Sequence, residues 1–286
     1  MNQISEMDRE SLKVMIELSD EAERYDDMHE AVRQLVKIGH LLDEEERNLL
    51  SIAYKNVIGR RRAASRILDE ILQEEMNRTR NNTRKPSRRI VDLYSPQMEA
   101  EMEELCEELL EIMAGLIPLA ENADDIESQV FYQKMRGDCF RYMAEISSDD
   151  ERRARVKESA LATYIKASEL ARDLSPTDPL SLGLALNFSV FYYDIMKKPV
   201  VARDMAKKAF ETAIVESDEL MIGETIRDFF FIIQLMRDNI TMWSKERSSH
   251  RYNVSAYSSI IVTSWSPLTI LSETNMCKNY QRTPYI

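Results

Sequence analysis

Apolar residues recur every three or four positions along most of the chain, which is the spacing that gives a helix one apolar face. This pattern predicts nine successive helices with no strand between them. They span residues 6–24, 27–38, 44–75, 95–116, 126–146, 150–172, 179–196, 200–216 and 225–246. Because only short breaks separate them, neighbouring helices should run antiparallel and stack as in an α-solenoid. The chain is therefore predicted to be all-α.

Residues typical of helix starts mark two of these boundaries. Asp43 is predicted as an N-cap, and Glu46 three residues later completes a capping box. Pro96 is predicted at the first position of the fourth helix, where a missing N–H is tolerated. Residues 77–92 before it are polar and basic around Pro86. They indicate a solvated connector, with a partner-binding patch as the alternative.

The carboxyl-terminal residues 248–286 differ in character from the rest of the chain. They are rich in Ser, Thr and Tyr and lack the helical spacing of apolar residues. Such a composition is typical of a disordered extension. The helical domain is therefore predicted to span residues 1–247.

Composition and charge narrow the class of protein. The 286 residues include 50 acidic and 38 basic ones, and the formal charge of −12 argues against general binding of nucleic acid or anionic membranes. Three widely spaced cysteines predict neither a disulfide framework nor a CxxC metal site. No apolar run is long enough for membrane insertion, and the amino terminus does not resemble a signal peptide. These features predict a cytoplasmic protein, with the nucleus as a second compartment.

The chain offers few groups for catalysis. Its three histidines lie far apart, and neither an HExxH motif nor a phosphate-cradling glycine loop occurs. Asp26, Asp27 and Glu30 form a DDxxE pattern of the type that all-α isoprenoid synthases use to hold magnesium. Such a synthase needs a second acidic cluster across a deep cavity, whereas acidic residues near helix starts commonly cap helices or form salt bridges. We predict no enzyme, no catalytic residue, no metal and no cofactor; a magnesium-dependent diphosphate enzyme is the alternative.

Basic side chains and one tyrosine share faces of two predicted helices. They are Lys55, Arg62 and Arg66 on the third helix, and Lys134, Arg141 and Tyr142 on the fifth. Lys55 and Arg62 are two turns apart, roughly 10 Å of rise, which long side chains can close onto one anion. Gly59 between them removes the side chain that would fill the gap. The grouping indicates a phosphate site, since Arg forms bidentate bonds to phosphate; solvated or Glu-paired side chains are the alternative.

Two apolar stripes are each interrupted by an amide. In the segment 182–195, Asn187 shares a helical face with Val190 and Asp194. In the last predicted helix, Asn239 lies in a stripe with Ile232, Leu235 and Trp243. Two amides within an apolar wall predict a groove that holds an extended peptide backbone while apolar residues contact its side chains. The alternative is a buried Asn that bonds a neighbouring helix.

Several long segments resemble 14-3-3 proteins and occur in the order of that family. They are RYDDM at 24–28, EERNLLSIAYKNVIG at 45–59, FYQKMRGD at 131–138, RYMAE at 141–145, LGLALNFSVFYYDI at 182–195 and QLMRDN at 234–239. The resemblance implies a cup-shaped protomer of nine antiparallel helices with an amphipathic groove. It also implies a homodimer or heterodimer with family members. Each groove would bind a phosphoserine or phosphothreonine segment of a client protein in extended form.

The resemblance implies a role for each matching residue. Phosphate would be bound by Lys55, Arg62, Arg141 and Tyr142. The ligand backbone would be held by Asn187 and Asn239, and the apolar wall formed by Leu186, Val190, Ile232, Leu235 and Trp243. The pocket edge would carry Lys134 and Asp194. The dimer interface would include Leu18, Ala22, Arg24, Asp27 and Tyr94. The implied function is that of a phosphorylation-dependent adaptor.

Some positions depart from the family pattern. Asp194 replaces the usual Glu, Ser65 replaces a Trp, and Gln97 replaces the Lys that would face the partner protomer's Asp27. The aromatic run 229–231 replaces smaller residues, which indicates a change in groove selectivity. These departures keep open a diverged helical scaffold with altered dimerisation or ligand preference. In the tail, a phosphorylated Thr283 docking near a groove is the alternative to disorder.

Overall fold

The computed structural model describes the backbone of residue 4 and of residues 7–78, 86–217 and 224–245, and the side chains of these residues apart from 75–92 and 224–225. Nine α-helices and no strand occur among these residues. Their bounds are α1 Arg9–Glu21, α2 Tyr25–Lys37, α3 Glu44–Arg78, α4 Pro86–Asn122, α5 Ile126–Ile146, α6 Asp150–Leu170, α7 Pro179–Asp194, α8 Pro199–Glu216 and α9 Glu224–Lys245. The prediction of an all-α fold with nine helices is confirmed. The predicted tail, residues 248–286, lies outside the described residues.

Side-chain caps explain why several helices begin where they do. The backbone N–H of Glu46 donates to Asp43 Oδ1 and that of Asp43 donates to Glu46 Oε2, both at 2.9 Å. This is the reciprocal pair of a capping box, as predicted for the start of α3. At α7, Asp178 accepts from the backbone N–H of Leu180 at 2.7 Å, and Pro179 occupies the first turn.

The predicted start of the fourth helix is wrong. Helix α4 begins at Pro86 rather than near residue 95, so Pro96 lies inside the helix and the predicted connector is helical over residues 86–92. Pro86 itself suits the first helical position. Beyond Pro96, Met98 and Met102 are buried one turn apart, and this packing maintains the helix although Pro96 lacks an N–H. Residues 79–85 lie outside the described part of the chain.

Each helix packs against the next, and alternate helices also meet. Helix α3 contacts α5, α5 contacts α7, and α7 contacts α9. These four helices therefore form one continuous row, and it carries every residue predicted for the groove. None of the helices in the described ranges is both long and apolar enough to cross a membrane.

Candidate functional site

The basic side chains of α3 meet a carboxylate of α5. Arg62 Nη2 donates to Glu145 Oε2 at 2.7 Å, and Arg66 Nη2 donates to Glu145 Oε1 at 2.8 Å. Burial alone would raise the pKa of Glu145, but the charges of Arg62, Arg66 and Arg141 outweigh it and lower the pKa to about 2. Glu145 is therefore ionised at neutral pH and holds two arginines of α3 against α5.

Asp138 is a second carboxylate, completely buried in α5. It accepts from Lys134 Nζ at 3.1 Å, from Arg141 Nη2 at 3.3 Å, and from Asn187 Nδ2 at 3.0 Å to each carboxylate oxygen. Burial would raise the pKa of Asp138, but the charges of Lys134 and Arg141 and the hydrogen bond from Tyr164 hold it below its usual value. One carboxylate thus links residues of α5 to the amide of α7.

The ring of Tyr142 contacts two guanidinium groups. Arg62 stands over it at 4.2 Å from the ring centre and Arg141 at 4.4 Å, both within the range of a cation–π contact. Only 2% of Tyr142 is exposed. The arginines come from different helices, so the ring fixes them relative to each other.

Two lysines complete the basic group, here called the basic cluster: Lys55, Arg62, Arg66, Lys134, Arg141 and Tyr142. Lys134 is buried, and its pKa is lowered mainly by burial. Asp138 opposes that shift, whereas the charges of Arg141 and Lys55 add to it. The charge of Lys55 lowers the pKa of Lys134, so the two charges interact although the residues lie on different helices.

The apolar stripes of α7 and α9 pack together into one wall. Its predicted members Leu186, Val190, Ile232 and Trp243 are buried in a single apolar cluster, and Leu235 packs against it. The Trp243 ring stacks on Tyr193 with centroids 4.9 Å apart. The buried Nε1–H of Trp243 has no acceptor among the described residues, and Asn239 in the same helix is 8% exposed. The wall therefore combines apolar surface with polar side-chain groups.

Asn187 and Asp194 join this wall to the basic cluster. Asn187 is completely buried and bonds Asp138, as described above. The pKa of Asp194 is raised by burial and by the negative charge of Glu145, while Arg141, Lys197 and Arg66 oppose the shift. The Asp194 carboxylate therefore interacts electrostatically with Arg66 and Arg141 of the basic cluster. The site thus combines the basic cluster with an apolar wall, and Asn187 of α7 links the two through Asp138.

Comparison with known proteins shows the family of the chain. The sequence model of the family described as "14-3-3 protein" matches residues 15–244. The 14-3-3 protein beta/alpha of Homo sapiens is 44% identical over 242 residues, which is 84% of this chain and 94% of that protein. The 14-3-3 protein 2 of Entamoeba histolytica is 42% identical over 238 residues, 83% of this chain and 97% of that protein.

The chain belongs to the 14-3-3 family. All residues predicted for phosphate binding and for the groove lie on the row of α3, α5, α7 and α9 of this 14-3-3 chain. The sequence pattern predicted no role for Asp138, Glu145 or Tyr164, which contact the basic cluster directly. The spacing of Asp138, four residues after Lys134 and three before Arg141, was the available signal.

Four of the five residues predicted for the dimer interface of this 14-3-3 chain are exposed, and Asp27 is half-buried. Leu18 of α1 is 57% exposed and Tyr94 of α4 is 45% exposed. Ala22 is exposed as well, and Arg24 pairs with Asp27 inside the protomer. A shallow depression of about 390 Å³ adjoins Leu18 and is lined by Met7, Glu10, Ser11, Val14, Met15 and Leu18.

The DDxxE pattern has a structural explanation in this 14-3-3 chain. Asp27 binds Arg24, and Glu30 accepts from Gln34 Nε2 at 2.7 Å and from Arg33 Nη1 at 3.2 Å. Over the described ranges, no group of three or more His, Cys, Asp or Glu residues is arranged to hold a metal ion. Asp27 and Glu30 thus pair with neighbouring basic and amide groups of Arg24, Arg33 and Gln34.

Proposed function

We propose that this 14-3-3 chain is a non-enzymatic adaptor that binds phosphoserine or phosphothreonine segments of client proteins in its groove. The observation that carries the proposal is the convergence of Arg62 and Arg141 on the ring of Tyr142. A phosphate dianion needs several charge-assisted donors at one point, and arginine provides two parallel ones. Because the arginines are already held in place, little side-chain entropy is lost when phosphate binds.

The roles of the groove residues follow from the same proposal. Phosphate is bound by Lys55, Arg62, Arg141 and Tyr142. The backbone of the client segment is held by the amides of Asn187 and Asn239, and its side chains contact Leu186, Val190, Ile232, Leu235 and Trp243. Lys134 contributes a positive charge to the pocket, and Asp194 contributes a negative one when it is ionised. An extended segment leaves its backbone groups unpaired, which is why amides in an apolar wall suit it.

The proposal also includes the assembly and the organisation of the chain. Two protomers pair through exposed residues that include Leu18 and Tyr94, so that each dimer holds two grooves. Partners are identical chains or other family members. The helical domain spans residues 1–247, residues 248–286 form a disordered extension, and the protein acts in the cytoplasm.

The test is a fluorescence anisotropy titration of the full chain. The probe is a labelled decapeptide with one phosphoserine and an arginine three residues before it; its unphosphorylated twin is the comparison. We expect Arg62→Ala and Lys55→Glu each to weaken binding of the phosphopeptide more than about tenfold, because each removes a charge-assisted bond of about 1.5–3 kcal/mol.

The matched control is Arg155→Ala. Arg155 also lies on a helix, but its side chain is 68% exposed and pairs only loosely with Glu151, at 3.9 Å. This variant should bind the phosphopeptide like the unmodified chain. Equal affinity of the unmodified chain for the two peptides would refute the proposed function.

A further inference from the structure

The side chain of Tyr164 of α6 contacts the basic cluster. Its hydroxyl donates to Asp138 Oδ1 at 2.5 Å and accepts from Arg141 Nε at 3.2 Å. Burial and the negative charge of Asp138 raise the pKa of the Tyr164 phenol, so the group is neutral and able to donate at physiological pH. Tyr164 is completely buried, so it acts on a ligand only through its neighbours.

Packing fixes the Tyr164 ring independently of these hydrogen bonds. The ring stacks on Phe188 with centroids 5.1 Å apart and meets Phe191 at 5.5 Å. On its other side lies Gly137, where a Cβ atom would come within 2.8 Å of the ring. The absence of a side chain at Gly137 therefore allows the hydroxyl to reach Asp138, the next residue of α5.

The consequence for Arg141 is a fixed guanidinium. Its Nε donates to Tyr164 and its Nη2 donates to Asp138, so two different nitrogens of the planar group are held. Tyr142 contacts the guanidinium as well. A planar group restrained at two nitrogens and by an aromatic ring has a defined orientation, and this preorganisation favours anion binding.

We propose, resting on the proposed function, that Tyr164 is a positioning residue that orients Arg141 for phosphate. It does not contact the ligand. Its removal should therefore weaken recognition of the phosphate group specifically.

The test uses the full chain and the two decapeptides described above. Tyr164→Phe removes the hydroxyl and retains the packed ring. We expect it to weaken binding of the phosphopeptide about threefold to tenfold, and to leave binding of the unphosphorylated peptide unchanged. Tyr132→Phe is the matched control, because Tyr132 is also completely buried but belongs to the apolar cluster of α1 to α6, which does not include Tyr164. It should bind both peptides like the unmodified chain.

A double-mutant cycle identifies the residue through which Tyr164 acts. A lysine at position 141 has no Nε–H group that could donate a hydrogen bond to the Tyr164 hydroxyl. Adding Tyr164→Phe to Arg141→Lys should therefore produce little further loss of phosphopeptide affinity. Gly137→Ala provides a second route, since it displaces the ring and should give the same selective loss.

Three results would overturn the inference. They are unchanged phosphopeptide binding by Tyr164→Phe, an equal loss for both peptides, or full additivity with Arg141→Lys. If the unmodified chain itself fails to distinguish the peptides, the proposed function fails and the inference with it. If it distinguishes them and Tyr164→Phe does so equally well, only the inference fails.

Discussion

Arg62 of α3 lies over the ring of Tyr142 of α5, 4.2 Å from its centre, while Arg141 contacts the same ring. The tyrosine therefore has two separable parts, a ring that contacts two arginines and a hydroxyl group. Substitutions at Tyr142 distinguish them.

We expect Tyr142→Phe to weaken phosphopeptide binding about threefold to tenfold, because it removes one hydroxyl and keeps the ring. Tyr142→Leu should weaken it more than about thirtyfold, because both cation–π contacts are lost as well. Anisotropy titration measures both. Equal losses of affinity in the two variants would mean that the ring does not position the arginines.

Glu145 should make stability depend on pH in a defined direction. Its folded pKa of about 2 lies below that of a free Glu, so its ionised form stabilises the fold above the free value. This contribution is lost as pH falls from about 4.3 toward 2. At pH 7, Glu145→Gln should lower the free energy of unfolding by on the order of 1–3 kcal/mol.

Urea unfolding of Glu145→Gln and the unmodified chain at several pH values measures this effect. The difference between their free energies of unfolding should shrink as pH falls below about 4.3. Glu111→Gln, which removes an exposed carboxylate of α4, is the control and should differ little from the unmodified chain at pH 7. A difference for Glu145→Gln that stays constant down to the lowest pH would contradict the assignment.

The two glycines Gly137 and Gly115 should respond oppositely to alanine. A Cβ at Gly137 would lie 2.8 Å from the Tyr164 ring, whereas one at Gly115 would meet nothing within 4 Å. We expect Gly137→Ala to destabilise the chain by about 1–3 kcal/mol through overpacking. Gly115→Ala should stabilise it by up to about 1 kcal/mol, since alanine favours the helix. Urea midpoints measure both, and a stabilised Gly137→Ala would show that the ring moves without strain.

Leu18 should be important for pairing of protomers. It is 57% exposed beside the depression on α1, and a charge there would be buried on dimerisation. We expect Leu18→Glu to shift the sedimentation mass from dimer to monomer at micromolar concentration. Val215→Glu on α8, where the residue is 77% exposed, is the control and should leave the mass unchanged. A monomeric unmodified chain would refute the proposed dimer.

Most of the fold was predictable because helical spacing is a local property. The start of α4 was not, because the choice between Pro86 and Pro96 as first helical residue depends on packing. Met98 and Met102 face the core on the far side of Pro96, and only the tertiary structure shows that the helix continues through it.

The basic residues of the candidate site could be predicted from the sequence. The residues that form hydrogen bonds with them could not. Lys55 and Arg62 share a face at a spacing visible in the sequence. Tyr164 follows Arg141 by 23 residues on another helix, so no local pattern connects its hydroxyl to the arginine. The same holds for Asn187, whose bond to Asp138 spans 49 residues.

The stacked indole of Trp243 gives the apolar wall an optical signal of its own. The chain contains two tryptophans, Trp243 and Trp265, and the second lies in the carboxyl-terminal segment. In a Trp265→Phe chain, the tryptophan fluorescence therefore comes from Trp243 in the wall alone. Because indole emission responds to polarity and to hydrogen bonding at Nε1, occupancy of the groove becomes visible as a spectral shift, without a label on either partner.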